Sequence, residues 1–245
     1  MMNTQEMLEN AADNIPRRQF MTTNLRQICR KVVAVGRNYI AHAIELGSVI
    51  QDEPVVFLKP PSSIIEQGEK IRLPKDASEV HHEVELGLVI GKELSNVGTT
   101  DLASSILGFV VALDMTDREL QNKLKSRQLP WTLAKCFDTS CPVGPVLPVS
   151  LLPPHLFTYE LGQKPSTDQP LELWLSVNGS PRQRGSIDSM IYNPAQLISF
   201  ISHHMRLEPG DLILTGTPAG VGAVRSGDVI KAGIGKISEI EFSVS

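Results

Sequence analysis

The segment from His81 to Gly91 alternates apolar and polar positions with a period of two. Its apolar residues are Val84, Leu86, Leu88 and Ile90, and they alternate with Glu83, Glu85 and Gly87. This period predicts a β-strand with one apolar face and one acidic face. By the same alternation, His81 shares the acidic face and His82 lies on the other. Two carboxylates that point the same way on a strand repel each other unless water or a cation screens them.

From Lys31 onward the chain consists of short apolar runs separated by Gly and Pro. This pattern is typical of an α+β fold that is predominantly β and has few helices. The other predicted strands are Val32 to Val35, Pro54 to Leu58, Phe109 to Leu113, Leu171 to Val177 and Leu212 to Leu214. Asn178-Gly179 indicates a tight hairpin turn, so the sheet should fold back at that point.

Capping signals predict two helices. Thr116 and Glu119 have the spacing of a capping box, so a helix should begin directly after Asp114. Asn193 followed by Pro194 is the pattern of an N-cap and a first helical residue, with Ala195 to Arg206 as the helix body.

Length and charge then narrow the class of protein. The chain has 245 residues, of which 41% are hydrophobic, and it has no apolar run near the roughly 20 residues that a membrane span needs. One globular domain is expected, without membrane association. A net charge of -4 with mixed signs along the chain gives no basic stripe, which disfavours nucleic acids and favours small molecules as partners. Three cysteines without metal-type spacing fit a reducing compartment.

Residues 1–30 differ from the rest because they lack strong periodicity, and we interpret them as an N-terminal extension to a single catalytic domain at residues 31–245. Arg17 and Arg18 suit a mitochondrial targeting segment, whereas Glu6, Glu9 and Asp13 do not. A mitochondrial and a cytosolic location are equally compatible with this composition.

Glu83, Glu85 and Asp114 form the central hypothesis. Two of them share a strand face and the third ends the next apolar strand, so the three carboxylates could bind a hard divalent cation such as Mg²⁺ or Mn²⁺. The alternative for the two glutamates is a solvated strand face. The alternative for Asp114 is a favourable interaction with a helix N-terminus.

Three further polar residues are candidates for the site. Lys135 ends an apolar segment and could stabilise an enolate or oxyanion, or it could extend from the core towards solvent. Arg118 and Gln121 lie three apart and share a helix face, which could be a site face or a solvent face.

A possible general base lies in the predicted short helix or mobile loop from Ile40 to Leu46. A helical turn would bring the Glu45 carboxylate against the His42 imidazole, which is how a general base is oriented. A surface ion pair is the alternative. The glycine-rich loop from Thr215 to Gly222 could present backbone amides to a carboxylate group.

Six motifs in register give the chain a family resemblance. They are Gly36-Arg-Asn-Tyr-x-x-His42, Phe57-Leu-Lys-Pro60, His82-Glu-Val-Glu-Leu86, Leu113-Asp-Met-Thr116, Trp131-Thr-Leu-Ala-Lys135 and Thr215-Gly-Thr-Pro-x-Gly-Val-Gly222. Their order and content, from about Val32 to the C-terminus, resemble the fumarylacetoacetate hydrolase domain family. The resemblance implies mixed β-sheets rolled into a sandwich-like barrel, and it also implies a homodimer.

The resemblance also implies residue roles. It places Mg²⁺ or Mn²⁺ on Glu83, Glu85 and Asp114, a water-activating His42–Glu45 pair on a mobile lid, and an active-site lysine at Lys135. The substrate-binding positions it implies are Arg37, Arg118, Gln121 and Thr217. The chain departs from the family pattern in residues 1–30, in a longer connection from Leu151 to Pro170, and at Asp117, an extra acid that could weaken binding of an anionic substrate or tighten the metal site.

The expected substrate is a small 2-oxo acid. The main expectation is metal-dependent hydrolysis of the carbon–carbon bond of 3-acylpyruvates, with oxaloacetate decarboxylation at the same site. One alternative is an oxaloacetate decarboxylase or keto–enol tautomerase with little hydrolase activity, and a second is a non-catalytic, metal-stabilised binding protein. Because decarboxylation and tautomerisation need no activated water, the His42–Glu45 pair is interpreted as favouring hydrolysis.

Overall fold

Four β-sheets contain most of the regular structure in the computed structural model, which describes residues 24–45, 47, 52–159 and 170–245. The strands are β1 Val32–Gly36, β2 Val55–Lys59, β3 Ile64–Ile65, β4 Lys70–Ile71, β5 Val80–His82, β6 Val84–Ile90, β7 Ile106–Leu113, β8 Thr116–Asp117, β9 Cys141–Pro142, β10 Glu172–Val177, β11 Ser180–Ser186, β12 Leu212–Leu214, β13 Gly222–Val224, β14 Val229–Ile234 and β15 Ser238–Val244. The α-helices are α1 Leu25–Ile28, α2 Ile40–Glu45, α3 Arg118–Ser126, α4 Thr132–Lys135 and α5 Pro194–His204. The prediction of a predominantly β, α+β fold is confirmed.

Two five-stranded sheets pack face to face. One has the order β2-β1-β12-β6-β7 and the other β11-β10-β14-β15-β4. The largest apolar cluster joins Leu86 and Leu88 of β6 to Leu173 and Leu175 of β10 and to Phe242 of β15. A sandwich core therefore lies between these sheets.

A second apolar cluster covers the other face of the first sheet. It contains Val89 of β6, Val110 of β7 and Leu212 of β12, and Leu25 of α1 packs against them. Strand β6 is consequently buried at every position. The alternative of a solvated acidic face on this strand is therefore wrong, because a second layer of the protein covers the face on which Glu85 and Val89 lie.

Part of the predicted N-terminal extension packs on the domain. Leu25 is buried and its amide donates to Glu66 Oε1 at 2.9 Å, and Arg30 pairs with Glu208 at 3.1 Å. Residues 1–23 lie outside the described residues, as do residues 160–169 of the connection that we predicted to be long. In the part of the chain that the structure describes, no helix has the length and apolar character needed to cross a membrane.

The predicted hairpin turn and the helix predicted after Asn193 are both present in the structure. Asn178 and Gly179 both have positive φ, 51° and 77°, and they connect β10 to β11 as the hairpin prediction requires. Helix α5 begins at Pro194 with a complete capping box between Asn193 and Gln196, and it ends at His204, two residues before the predicted end.

The first helix does not begin where the Thr116–Glu119 spacing predicts. Thr116 belongs to β8, and its hydroxyl donates to the backbone oxygen of Asp114 at 3.1 Å; among the described residues, it accepts no hydrogen bond from a helix amide. The N-cap is Asp117, whose carboxylate accepts from the Leu120 amide at 3.0 Å. The capping-box prediction is wrong because pairing of β8 with β5 includes Asp117 and keeps this residue out of the helix. Asp117 therefore becomes the N-cap, and the helix begins at Arg118.

We expect Asn193→Ala to lower the free energy of unfolding by about 1 kcal/mol, because an N-cap acceptor for the Gln196 amide would be lost. Asn193→Ser keeps an acceptor and should retain most of the stability. Urea unfolding of both variants beside the unmutated chain measures the difference. Equal stability of the alanine and serine variants would contradict a capping role.

Candidate functional site

Three buried carboxylates meet where the chain passes from one sheet to another. Glu83 lies between β5 of the three-stranded sheet and β6 of the five-stranded sheet. Asp114 follows β7 of the five-stranded sheet and, with Met115, leads to β8 of the three-stranded sheet. The two crossings are tied together because the Asp114 amide donates to the Glu83 backbone oxygen at 2.8 Å. Glu85 is two residues along β6. One ligand oxygen from each residue lies within 4.8 Å of the others, and the three residues are 4%, 2% and 1% exposed.

Three cations contact this acidic triad, defined as Glu83, Glu85 and Asp114. Lys135 Nζ lies 2.9 Å from Glu83 Oε2 and 2.5 Å from Asp114 Oδ2. Lys59 Nζ lies 2.8 Å from Asp114 Oδ1, and the Arg118 guanidinium pairs with Glu83. All three cations are buried. The alternatives of a lysine extending to solvent and of a solvent-facing Arg118 are therefore wrong.

Glu85 differs from its neighbours because none of the described cations pairs with it. Its carboxylate accepts from the Gly216 amide at 2.6 Å. Burial raises the pKa of Glu85 well above its usual range, and the charges of Asp114 and Glu83 raise it further. By contrast, although burial alone would raise the pKa of Glu83, Lys135 and Arg118 hold it below the usual range. The site thus contains one carboxylate that has no directly paired cation among the described residues.

The residues of the triad fit a divalent cation. Three carboxylates offer the all-oxygen donor set that Mg²⁺ and Mn²⁺ prefer, and a cation beside Glu85 would compensate the charge that the protein leaves unpaired. Lys135 is a fixed positive charge beside this position. Burial lowers its pKa, but Asp114 and Glu83 outweigh that effect and raise it, so Lys135 is an ammonium at neutral pH.

The predicted His42–Glu45 pair forms on α2. His42 Nδ1 lies 3.0 Å from Glu45 Oε2, and the Glu45 carboxylate also accepts from the Gly220 amide at 3.0 Å and 3.2 Å to its two oxygens. His42 is buried, and none of the described residues hydrogen-bonds to its Nε2. With Nδ1–H donating to a carboxylate, neutral His42 presents a free lone pair at Nε2. The alternative of a mere surface ion pair does not account for the burial of His42.

A cleft joins the triad to the predicted substrate residues. Its lining includes His42, Glu83, Glu85 and Lys135, together with Arg37, Arg118, Gln121, Lys125, Trp131 and Thr217. Gln121 is positioned by Arg118, whose Nη1 donates to Gln121 Oε1 at 2.6 Å. The structure therefore brings His42, Lys135 and the four predicted substrate-binding residues to one cleft with two of the three carboxylates. Glu45 reaches this cleft only through His42, and Asp114 contacts Lys135.

A hydrogen-bond chain fixes the orientation of Thr217. His82 Nδ1 lies 2.9 Å from Gln183 Oε1, which also accepts from the Val84 amide at 3.1 Å. Because Oε1 is the acceptor, the Gln183 amide nitrogen is the donor to Thr217 Oγ1, at 2.7 Å. The Thr217 hydroxyl proton is thereby left to donate towards the cleft.

Some site features were absent from the sequence prediction or were assigned differently. Lys59 and Gln183 were given no role. A lysine at the end of an apolar strand was the available signal for Lys59, whereas nothing in the pattern indicated Gln183. Asp117, the extra acid near Asp114, is the N-cap of α3 and accepts from the Leu120 amide. The amides of the Thr215–Gly222 loop do bind carboxylates, but these belong to the protein itself.

The chain is similar to proteins that are named as enzymes. A mitochondrial oxaloacetate tautomerase, FAHD1 of Arabidopsis thaliana, is 48% identical over 214 residues, covering 87% of this chain and 90% of that protein. A mitochondrial oxaloacetate decarboxylase of Dictyostelium discoideum is 45% identical over 217 residues, covering 88% and 94%. The crystal structure of fumarylpyruvate hydrolase from Pseudomonas aeruginosa in complex with Mn²⁺ and pyruvate has a TM-score of 0.78 and 35% identity, covering 88% of this chain and 89% of that one.

The family model for the fumarylacetoacetate (FAA) hydrolase C-terminal domain matches residues 31–245. This range includes the triad, the three cations and the His42–Glu45 pair. The family resemblance predicted from the six motifs is confirmed: the chain belongs to the fumarylacetoacetate hydrolase C-terminal domain family, whose relatives named above are enzymes.

Proposed function

We propose that this chain is a divalent-cation-dependent enzyme that interconverts the enol and keto forms of oxaloacetate. The observation that carries the proposal is the charge balance of the triad. Three carboxylates face three directly bonded cations, Lys59, Arg118 and Lys135. A divalent cation would leave this cluster with two positive charges. The enolate of a 2-oxo acid carries two negative charges, on its carboxylate and its enolate oxygen, so the loaded cluster matches the enolate better than the keto acid.

The proposed cation is Mg²⁺, with Mn²⁺ as a substitute, and Glu83, Glu85 and Asp114 would hold it. When bound, it supplies Lewis-acid polarisation of the 2-oxo acid. The relative crystallised with Mn²⁺ and pyruvate supports this choice of ligand class.

The proton transfer is assigned to His42. In the keto-to-enol direction, His42 Nε2 takes a proton from C3 of the substrate, and Glu45 stabilises the imidazolium through Nδ1–H. This leaves the enolate; its C2 oxygen takes up a proton from solvent and the imidazolium loses its proton to solvent, which completes the enol. In the reverse direction the enol hydroxyl loses its proton to solvent, and protonated His42 delivers a proton to C3. Lys135, a permanent ammonium, stabilises the oxygen at C2, while Arg118, Gln121 and Thr217 orient the carboxylate. A base acting on carbon explains the His42–Glu45 pair without an attacking water, so the pair does not by itself favour hydrolysis.

Decarboxylation of oxaloacetate to pyruvate is the second candidate. It forms the same enolate by loss of carbon dioxide and needs no base at C3, and the 45% identical relative bears the name of that activity. Acylpyruvate hydrolysis, our main expectation from the sequence, finds support in the fumarylpyruvate hydrolase structure, whereas the relatives with higher identity support the oxaloacetate reactions. A purely non-catalytic binding role leaves the free Nε2 of His42 unexplained.

We also propose a mitochondrial location and a homodimer. The two relatives named for oxaloacetate activities are both called mitochondrial, which favours that location over the cytosol. For the dimer, Leu58 on the edge strand β2 and Leu129 line a shared groove. Leu58, Leu129 and Leu133 of the neighbouring α4 are 48%, 41% and 71% exposed. A second copy covering this surface would remove the apolar side chains and the open strand edge from water.

Metal loading should raise the melting temperature of the unmutated protein, because the cation binds the folded triad and compensates Glu85. In Glu85→Gln this rise should disappear, while the variant in chelator should be at least as stable as the unmutated chain, since one buried and unpaired acid is gone. Thermal unfolding with Mg²⁺, Mn²⁺ or chelator measures both effects. Glu239→Gln, at an exposed position, is the control, and an undiminished metal shift in Glu85→Gln would exclude Glu85 as a ligand.

His42→Ala should lower kcat for enol-to-keto conversion by about 100-fold or more, the usual contribution of a general acid or base, and should leave oxaloacetate decarboxylation largely intact. Loss of enol absorbance above the spontaneous rate, and pyruvate release from oxaloacetate and from acetylpyruvate, are the three assays. Exposed His203→Ala is the matched control. If the unmutated, Mg²⁺-loaded enzyme leaves the enol rate unchanged but cleaves acetylpyruvate, the tautomerase proposal is wrong and the hydrolase proposal replaces it.

Light scattering should give twice the chain mass for the unmutated protein, and Leu58→Glu combined with Leu133→Glu should give the monomer, because two charges would be buried in the proposed interface. Ile237→Glu places a charge on an exposed apolar residue elsewhere and should leave the dimer intact. A monomeric unmutated chain would rule out the proposed dimer.

A further inference from the structure

Two cations at the outer part of the cleft have no acidic partner among the described residues. The side chains of Arg37 and Lys125 both line the cleft and are half-buried. The structure gives Lys125 no hydrogen bond or ion pair, and it gives the Arg37 guanidinium only the Trp131 ring, at 5.9 Å from the ring centroid. Because the triad is almost completely buried, these two residues lie nearer to solvent than the proposed metal position.

Helix α3 explains how Lys125 reaches the cleft. Arg118, Gln121 and Lys125 are spaced by three and four residues, so they lie on one face of the helix. Arg118 and Gln121 are buried at the inner end, and Lys125 extends this polar face outward by one turn. The adjacent Lys123 is exposed on another face. The position of Lys125 is therefore set by the helix that also holds two of the proposed substrate-binding residues.

Arg37 and Lys125 line the same cleft, and their positive charges act on each other. Burial lowers the pKa of Lys125, and the positive charges of Arg37 and Arg118 lower it further. Arg37 also has φ of 61°, a left-handed conformation that a non-glycine residue adopts at an energetic cost and that is typical of binding sites. Repulsion between half-buried cations is unfavourable unless an anion neutralises it.

We propose that Arg37 and Lys125 form a carboxylate subsite that binds the second carboxylate of a dicarboxylic 2-oxo acid and makes the enzyme selective for dicarboxylates over monocarboxylates. This inference rests on the proposed function, which places the first carboxylate and the 2-oxo group at the triad. The inner cluster neutralises the charge of the enolate half of the substrate, and the outer cations neutralise the remaining carboxylate. Trp131 restricts the Arg37 side chain through its ring contact, so less side-chain freedom is lost on binding.

The test compares a ligand that has the second carboxylate with one that lacks it. The dicarboxylate is 3,3-difluorooxaloacetate, which has no C3 proton and does not enolise, and the monocarboxylate is pyruvate. Titration calorimetry on the Mg²⁺-loaded protein gives both dissociation constants. In Lys125→Met the dicarboxylate should bind about 10-fold more weakly, the usual effect of losing a charge-assisted hydrogen bond, whereas pyruvate affinity should change less than about 2-fold.

Lys125→Arg retains the charge and should retain most of the preference for the dicarboxylate, and Lys123→Met, which removes a lysine from the exposed face of the same helix, should change neither affinity. Unchanged pyruvate binding shows that a variant is folded and metal-loaded. If Lys125→Met weakens both ligands equally, or weakens neither, the subsite is overturned. If the dicarboxylate preference is present and depends on Lys125 but the unmutated enzyme shows no tautomerase activity, the subsite stands and the proposed reaction fails.

Discussion

The burial of three carboxylates in one place is the constraint on which the rest of the site depends. A buried carboxylate without compensation is strongly unfavourable, and removing one partner from a buried ion pair typically costs about 3–5 kcal/mol. Lys59, Lys135 and Arg118 compensate Glu83 and Asp114. These lysines and this arginine are therefore as necessary to the folded apo state as to any chemistry, and stability alone does not distinguish the two roles.

The sheet crossing supplies the rigidity that such a cluster requires. The chain passes between the three-stranded and the five-stranded sheet at Glu83, from β5 to β6, and again at Asp114, from β7 to β8. These two crossings lie beside each other because β6 pairs with β7 and β5 pairs with β8. Helix α3 begins directly after β8, so Arg118 is delivered next to Glu83. A small change in the register of β6 against β7 would move both acids relative to each other, which explains why the core on both faces of β6 matters to the site.

The sequence predicted the identity of the acids better than their environment. Alternation along β6 placed Glu83 and Glu85 on one side, since a period of two is a local property of the backbone. Their burial depends on residues that are distant in sequence: Arg118 and Lys135 contact Glu83, and the Gly216 amide binds Glu85. The same distinction explains the wrong helix start: Thr116 satisfies a local capping rule, but pairing of β8 with β5 is a tertiary interaction that overrides it.

One glycine-rich loop connects the metal side of the site to the proposed base. The Gly216 amide donates to Glu85 and the Gly220 amide donates to Glu45. Both glycines have positive φ, 97° and 96°, and a Cβ would lie 2.8 Å from Asn38 Cβ in the first case and 2.1 Å from the Arg182 backbone oxygen in the second. No other residue fits either position without displacing its neighbours. The loop therefore sets the spacing between Glu85 and the Glu45-bound imidazole of His42.

That fixed spacing bears on the choice between reactions. Hydrolysis requires a water between the base and the substrate, whereas tautomerisation requires the base to reach carbon directly. In this structure Glu45 is already bonded to the loop and His42 already lines the cleft, so the base is in place without a further closing movement of α2. A base whose partner Glu45 is fixed by the Gly220 amide, beside the proposed enolate site, is suited to repeated transfer of a proton to and from the same carbon, which is the requirement of tautomerisation.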